Sequence, residues 1–398
     1  MVITKMPFTD VLKRYDDFDF DAFGAEVTAV RAERVISKPR LTELDYLTLL
    51  SPAASAPRIL EMMARRARDA TRSRSGCVIL LFTPLYVSNI CDNRCPYCSF
   101  AHQNRIKRRH LSLDEVRAEA ERIAATGLRH ILMLTGESRR AAPVEYLREC
   151  VSVLREYFSS ISIEVYPLDE CEYSELVGAG ADGLTVYQET YDAAAYAALH
   201  EGGPKANFEY RLLAPERGCA AGMRGATVGA LLGLAQPLKD TFFSGLHARY
   251  IAEKYPSVEV SASFPRIRPQ AGDEFKPDFT VDDRTFVQYM TALRLFMPGA
   301  GITVSTRESA PFRNAILPLG PTKMSAGVST AVGKSSGQVS DAQFEIADGR
   351  SVEEMKKDLL SYGFQPIIVD WNYILCSGGL RLRSADATVI EQSRRNGH

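Results

Sequence analysis

Eight short runs with strand character, separated by helical stretches, constrain the fold of this chain more than any other feature. The runs span residues 78–88, 130–135, 161–167, 183–188, 226–233, 258–265, 301–306 and 323–327. Residues 113–127 and 282–296 are typical of the amphipathic helices that lie between them. Eight strand–helix units over about 250 residues predict an α/β fold, a TIM-type (β/α)8 barrel. A doubly wound sheet also alternates, but it usually has fewer strands per domain.

Further segments flank the predicted barrel at both ends. Residues 8–72 carry apolar positions at helical spacing, which predicts an N-terminal helical extension. Residues 343–372 have a strand–helix–strand pattern, which predicts a small C-terminal α/β extension. We therefore expect three parts: an N-terminal helical segment (1–72), the barrel (73–330) and an extension that packs on the barrel (331–398).

The bulk composition excludes several classes of protein. Of the 398 residues, 45% are hydrophobic and 24% are charged, as in an ordinary globular protein with a folded core. The net charge of −1 gives no overall attraction to nucleic acid or to acidic lipid. The N-terminal residues lack an apolar signal region, and the longest apolar stretch, 77–90, is too short to span a bilayer. We expect a cytoplasmic protein with neither nucleic-acid nor membrane partners.

Three of the eight cysteines cluster directly after the first predicted strand. Cys91, Cys95 and Cys98 have the spacing C-x3-C-x2-C. Thiolates are the usual ligands of iron–sulfur clusters, and three of them leave one iron of a [4Fe–4S] cluster open. S-adenosylmethionine can fill such an open position through its amino and carboxylate groups. The alternative is a zinc knuckle, but the sequence has no second paired motif to complete four zinc ligands.

Polar residues at the ends of the other predicted strands are the next candidates, because barrel active sites lie at the carboxyl ends of the strands. We expect cofactor contacts from Tyr97, Gly136, Glu137, Gln188 and Glu189. A glycine lets the backbone approach a ligand closely, and a carboxylate can accept from the ammonium group of S-adenosylmethionine. The alternatives are helix capping for the three polar side chains and ordinary loop packing for the tyrosine.

Arg307, after the seventh predicted strand, is a candidate for binding a substrate carboxylate, since a guanidinium group is its best bidentate partner. The alternative is a salt bridge with a neighbouring glutamate. Arg266 and Arg268 follow the sixth predicted strand and are candidates on the same rule. The basic run at 104–110 is interpreted as a solvated face beside a surface where an electron donor docks.

Together these segments resemble the radical S-adenosylmethionine aromatic amino acid lyases, and within them the tyrosine lyases of thiamine biosynthesis. The resemblance covers nearly the whole chain and rests on residues 49–55, 84–100, 104–111, 135–137, 186–191, 263–269, 305–313 and 343–355. It implies that an adenosyl radical takes hydrogen from the amino group of L-tyrosine and that the Cα–Cβ bond then breaks. The implied products are 2-iminoacetate (dehydroglycine), p-cresol, 5′-deoxyadenosine and methionine. By the same resemblance, Arg307 would hold the substrate carboxylate, and Tyr86 and Ser325 would line its site.

The resemblance also implies two protein partners: a flavodoxin- or ferredoxin-type reductant, and a thiazole synthase that receives the product. One relative cleaves tyrosine for hydrogenase assembly and carries extra C-terminal cysteines for a second cluster. This chain has only Cys376 beyond position 219, which argues against that activity. Two alternatives remain open: a radical lyase for another aromatic amino acid, and an iron–sulfur binding protein without turnover.

Overall fold

The computed structural model describes residues 6–268, 275–334 and 339–369, and in this part of the chain nine parallel strands form one sheet. The strands are β1 (Val78–Ser88), β2 (His130–Thr135), β3 (Ser160–Glu164), β4 (Gly183–Glu189), β5 (Gly225–Ala230), β6 (Glu259–Ser263), β7 (Gly301–Val304), β8 (Lys323–Ser325) and β9 (Gln365–Ile367). Each strand from β1 to β8 pairs with the next, and β8 pairs back with β1. The first eight strands therefore close into a barrel, as predicted.

Helices surround the barrel and precede it. They are α1 (Phe8–Lys13), α2 (Phe20–Glu26), α3 (Ala29–Ile36), α4 (Glu43–Leu50), α5 (Pro57–Ser75), α6 (Leu113–Ala124), α7 (Val144–Leu154), α8 (Glu170–Ala179), α9 (Ala193–Leu199), α10 (Phe208–Leu212), α11 (Ala214–Ala220), α12 (Pro237–Lys254), α13 (Asp283–Phe296), α14 (Ala310–Ile316) and α15 (Val352–Ser361). Short 3-10 turns occur at Pro52–Ser55, Pro204–Ala206 and Leu317–Leu319. Among the described residues, no helix has the length and apolar character needed to cross a membrane.

The N-terminal helices share a hydrophobic core with the outer helices of the barrel. The ring of Tyr46 in α4 stacks on Phe296 of α13 with the centroids 4.4 Å apart, and its hydroxyl donates to the Thr241 carbonyl at 3.0 Å. A Cβ atom at Gly245 of α12 would lie 2.4 Å from this ring, so only glycine allows the close packing. The predicted N-terminal helical segment is thus present and is anchored on the barrel.

The eight predicted barrel strands are all confirmed, and several are shorter than predicted. In the C-terminal extension, α15 and β9 match the predicted helix and second strand, and residues 370–372 lie outside the described part. The predicted first strand of that extension is wrong. The Gln343 amide donates to the Thr330 carbonyl, and the Thr330 hydroxyl donates to the Phe344 carbonyl, so this backbone pairs with a loop instead of a strand. The three-part division of the chain stays a prediction.

Candidate functional site

Two adjoining cavities lie at the carboxyl ends of the barrel strands. The first, of about 80 Å³, is bordered by Cys91, Cys95 and Cys98, and we call it the cysteine cavity. The second, of about 140 Å³, is bordered by Arg307, and we call it the arginine cavity. Cys98 borders both cavities, so the two predicted sites are neighbours. A further cavity of about 280 Å³ lies at the opposite end of the barrel, away from the strand ends where barrel enzymes place their chemistry.

The loop that carries the cysteines is held by Arg108. Its guanidinium group donates to four backbone carbonyls, those of Asn89, Phe100, Ala101 and Asn104, over 2.6 to 3.2 Å. The sequence interpretation of residues 104–110 as a solvated face is therefore wrong for Arg108, because its donors are used to fix the loop. The neighbouring Arg109 pairs with Glu115 at the start of α6.

The thiol groups fit an iron–sulfur cluster better than a zinc ion. All three are free cysteines, and Cys91 and Cys95 are buried. In the described ranges, no three His, Cys, Asp or Glu side chains converge to hold one metal ion, as a zinc knuckle would need. In a cluster each thiolate binds a different iron, so the three thiols surround one cube and need not meet at a single ion. Burial raises the pKa of Cys91 to about 11 and that of Cys95 to about 12, and metal binding is what deprotonates such thiols.

Glu137, after β2, lies in a network of buried charges. Its carboxylate accepts from Asn93 Nδ2 at 2.9 Å and from Arg211 at 2.8 Å, and Lys205 Nζ lies 3.6 Å away. Burial acts to raise the pKa of Glu137, but Lys205 and Arg211 outweigh it and hold the pKa at about 2. Glu137 is therefore an ionised wall residue of the cysteine cavity and does not cap a helix.

Glu189, the last residue of β4, belongs to the same network. Lys205 Nζ donates to its carboxylate at 2.7 Å, and the charges of Lys205 and Arg211 lower its pKa against the effect of burial. Its backbone has a φ of 72°, which is strained for a residue with a side chain, and the register with β5 shifts at this point. Glu189 lies at this bulge and borders both cavities.

The two remaining predicted cofactor residues, Gly136 and Gln188, make contacts outside the network of buried charges. A Cβ at Gly136 would lie 2.4 Å from the Ile90 carbonyl oxygen, so glycine is needed here for contact with the cysteine loop. The side chain of Gln188 donates to the Phe208 carbonyl at 3.4 Å and borders neither cavity. Its cofactor role stays a prediction.

Tyr97 is anchored by a hydrogen bond to His200. Burial lowers the pKa of His200 to about 4, so the imidazole is neutral. Its Nδ1 lies 2.8 Å from the Tyr196 carbonyl, which can only accept, and Nδ1 therefore carries the proton. Nε2 then accepts from the Tyr97 hydroxyl at 2.6 Å. This fixes the Tyr97 ring at the edge of the arginine cavity.

The arginine cavity has a guanidinium group with no anionic partner in the described chain. Arg307 stacks on Phe344, with its central carbon 3.5 Å from the ring centroid. The neighbouring Glu308 pairs with Arg266 and Arg268 instead, so the salt bridge considered for Arg307 is not formed. Arg266 and Arg268 thus have a partner of their own and do not border the cavity. Burial lowers the pKa of Arg307.

Tyr86 and Ser325 border the same cavity, and their contact with a substrate stays a prediction. The Tyr86 hydroxyl donates to Gln343 Oε1 at 2.7 Å, and Gln343 Nε2 lies 3.7 Å from Cys98 Sγ. The Ser325 hydroxyl accepts from the Thr306 amide at 3.1 Å. Gln343 therefore links the cysteine loop with the wall of the arginine cavity.

Sequence analysis missed five residues of the site: Glu164, Lys205, Arg211, Gln343 and Phe344. The last two lie in a segment that carried the family resemblance, but no role was inferred for them. Lys205 and Arg211 belong to no sequence motif. They could be inferred only indirectly, because buried acids such as Glu137 and Glu189 need cationic partners. Glu164 had a clearer signal: alternation in β3 puts Ile161 and Ile163 on one face and Glu164 on the other.

Known protein families match two segments of this chain. Residues 85–241 match the radical SAM superfamily, and residues 263–365 match the Biotin and Thiamin Synthesis associated domain. The 2-iminoacetate synthase of Escherichia coli (strain K12) is 38% identical over 93% of this chain and 98% of that protein. The 2-iminoacetate synthase of Salmonella typhimurium (strain LT2) is 36% identical over 92% of this chain and 97% of that protein.

Solved structures show the same fold. A crystal structure of HydG, a maturase of the [FeFe]-hydrogenase, superposes with a TM-score of 0.84 at 27% identity, over 94% of this chain and 82% of that one. HydG from Carboxydothermus hydrogenoformans gives a TM-score of 0.80 at 30% identity, over 92% of this chain and 83% of that one. With a closed parallel barrel, three cysteines after β1 and relatives matched along nearly their whole length, this chain belongs to the 2-iminoacetate synthase family of the radical SAM superfamily.

Proposed function

We propose that this protein cleaves the Cα–Cβ bond of L-tyrosine by radical chemistry and so supplies 2-iminoacetate for thiazole formation in thiamine biosynthesis. The other products are p-cresol, 5′-deoxyadenosine and methionine. The observation that carries the proposal is that Cys98 and Arg307 border one cavity. A predicted cluster ligand and a predicted carboxylate ligand thus face the same cavity, which suits a radical reaction on an amino acid.

Cys91, Cys95 and Cys98 would hold three irons of a [4Fe–4S] cluster. When bound, the cluster with S-adenosylmethionine on its open iron supplies the adenosyl radical. Gly136 and Glu137 would contact the cofactor from β2, and Glu189 from β4. Glu137 suits an ammonium partner because it stays ionised and its two oxygens have further lone pairs.

Tyrosine would bind in the arginine cavity. Arg307 would take its carboxylate, because the guanidinium group is held by Phe344 and has no competing carboxylate among the described residues. Tyr86 and Ser325 would form part of the wall, and Tyr97 would lie between the amino acid and the cofactor. A substrate and cofactor that fill the two cavities would keep water from the radical and from the hydrolysable imine.

The reaction consumes electrons both to cleave S-adenosylmethionine and to complete p-cresol; a flavodoxin- or ferredoxin-type protein would deliver them, and a thiazole synthase would consume the 2-iminoacetate. The cytoplasm is the proposed location, since the seven described cysteines are all free, and cluster thiolates require a reducing compartment.

Anaerobic reconstitution with iron, sulfide, reductant and S-adenosylmethionine tests the proposal. With tyrosine we expect p-cresol and 5′-deoxyadenosine; with tryptophan in parallel we expect no cleavage. Cys95→Ala should abolish both products, and Cys171→Ala, at an exposed cysteine, should not. Turnover of tryptophan alone would support a lyase for a different aromatic amino acid. Absence of both products from a fully loaded protein would leave an iron–sulfur binding protein without turnover.

A further inference from the structure

Glu164 lies where the two cavities meet. It is the last residue of β3, and the strand register places it beside Leu134 of β2, which in turn lies beside Tyr86 of β1. Its side chain borders both the cysteine cavity and the arginine cavity. A ligand group bound by Glu164 would therefore face the cofactor site and the amino acid site together.

Glu164 differs from the other acids of this region because it has no partner in the described chain. Glu137 and Glu189 are each paired with Lys205 and Arg211. The side chain of Glu164 makes no hydrogen bond and no ion pair with any described residue, and only its backbone is paired, with β2. Burial and the charge of Glu189 raise the pKa of Glu164 to about 7, which reflects a carboxylate without enough positive charge around it.

Arg307 is the complementary case in the same cavity. It is a cation without an anionic partner among the described residues, just as Glu164 is an acid without a cationic one. Leaving two opposite charges half-buried and unpaired is costly, unless a ligand pairs with both. A free amino acid carries one carboxylate and one ammonium group, so it matches this pair in number and in sign.

We propose that Glu164 binds the ammonium group of the amino acid substrate, while Arg307 binds its carboxylate. This inference rests on the proposed function and adds a residue to it. It makes the site selective for α-amino acids over the corresponding carboxylic acids. It also holds the amino group, from which hydrogen is to be taken, at the border with the cysteine cavity.

Equilibrium binding to the reconstituted protein with S-adenosylmethionine tests the proposal with two ligands, L-tyrosine and 3-(4-hydroxyphenyl)propanoate, which lacks only the amino group. Glu164→Gln should weaken tyrosine binding about tenfold or more, the usual effect of losing one charged hydrogen bond. Binding of the desamino acid should stay unchanged. Glu164→Asp, which keeps the charge, should retain part of the preference for tyrosine. Glu175→Gln, at an exposed glutamate on α8, is the matched control.

Three results would overturn the inference. Equal weakening of both ligands would make Glu164 a structural residue. Weaker binding of S-adenosylmethionine with unchanged tyrosine binding would assign it to the cofactor. No change in any affinity would show that it contacts neither. The cluster spectrum and melting temperature of each variant identify a protein that has not folded, in which case Glu164→Asp decides. Failure of the wild-type protein to form p-cresol would count against the proposed function alone, because the binding comparison does not depend on turnover.

Discussion

The guanidinium group of Arg307 stacks on the ring of Phe344, although the two residues lie 37 positions apart in the sequence. Arg307 follows β7 of the barrel, and Phe344 lies in the segment after residue 338. An arginine stacked on an aromatic face keeps its in-plane N–H groups free to donate at the edge. The C-terminal segment therefore orients the proposed carboxylate ligand.

Replacing Arg307 tests its assignment directly. Arg307→Ala should abolish measurable tyrosine binding and leave the cluster spectrum unchanged, because the side chain borders the cavity without holding the cysteine loop. Arg307→Lys keeps the charge but loses the planar fork, so tyrosine binding should weaken about tenfold or more. Titration calorimetry and the visible spectrum of the reconstituted variants measure the two effects. Loss of the cluster from Arg307→Ala would show that the residue has a structural role.

Phe344 should act on substrate binding through Arg307. Phe344→Leu keeps an apolar side chain but removes the ring, and a cation–π contact contributes about 0.5 to 2 kcal/mol. We expect the KM for tyrosine to rise by a factor of about 2 to 30, with S-adenosylmethionine binding unchanged. Phe344→Tyr, which retains a ring face, is the control. If the leucine variant has a normal KM, the stacking does not orient the guanidinium group.

Arg108 should be needed for cluster loading more than for folding. Arg108→Ala removes four hydrogen bonds to carbonyls of the cysteine loop. We expect a lower iron content after reconstitution and faster loss of the cluster to a chelator, since the thiols are no longer preorganised. Arg105→Ala, at an exposed position in the same basic run, should load normally. Equal iron content in both variants would mean that the loop is held by other contacts.

Local patterns predicted the barrel and part of its site. The alternation of strand-like runs with helical stretches located all eight barrel strands. The rule that barrel active sites lie at the carboxyl ends of the strands placed the cysteines, Glu137 and Arg307 at the same end of the barrel. The rule could not predict which side chains of the site form hydrogen bonds or ion pairs with each other. Arg211 meets Glu137 across 74 positions, and Gln343 meets Tyr86 across 257. Such pairings depend on how loops return over the barrel mouth, which no local periodicity encodes.

Asp240, a buried acid outside the two cavities, should make the stability of the protein depend on pH. Asp240 of α12 accepts hydrogen bonds from the Thr190 hydroxyl at 2.9 Å and the Tyr191 amide at 2.7 Å through one carboxylate oxygen. The other oxygen is buried without a hydrogen bond. Burial raises the pKa of Asp240 to about 7. The folded protein therefore holds a proton on this group over a range in which the unfolded chain has released it.

The sign of the effect follows from that difference in bound protons. Between about pH 4 and 7 Asp240 binds more protons in the folded state than in the unfolded state, so its contribution to stability falls as pH rises, by up to about 4 kcal/mol. Asp240→Asn keeps one acceptor oxygen and cannot ionise, so its melting temperature relative to wild type should improve from pH 5.5 to pH 8. Both proteins carry the cluster, whose contribution cancels in the difference at each pH. Asp69→Asn, at an exposed site, should keep a constant difference in melting temperature from wild type over the same pH range. A constant difference between Asp240→Asn and wild type over this range would mean that Asp240 does not titrate there.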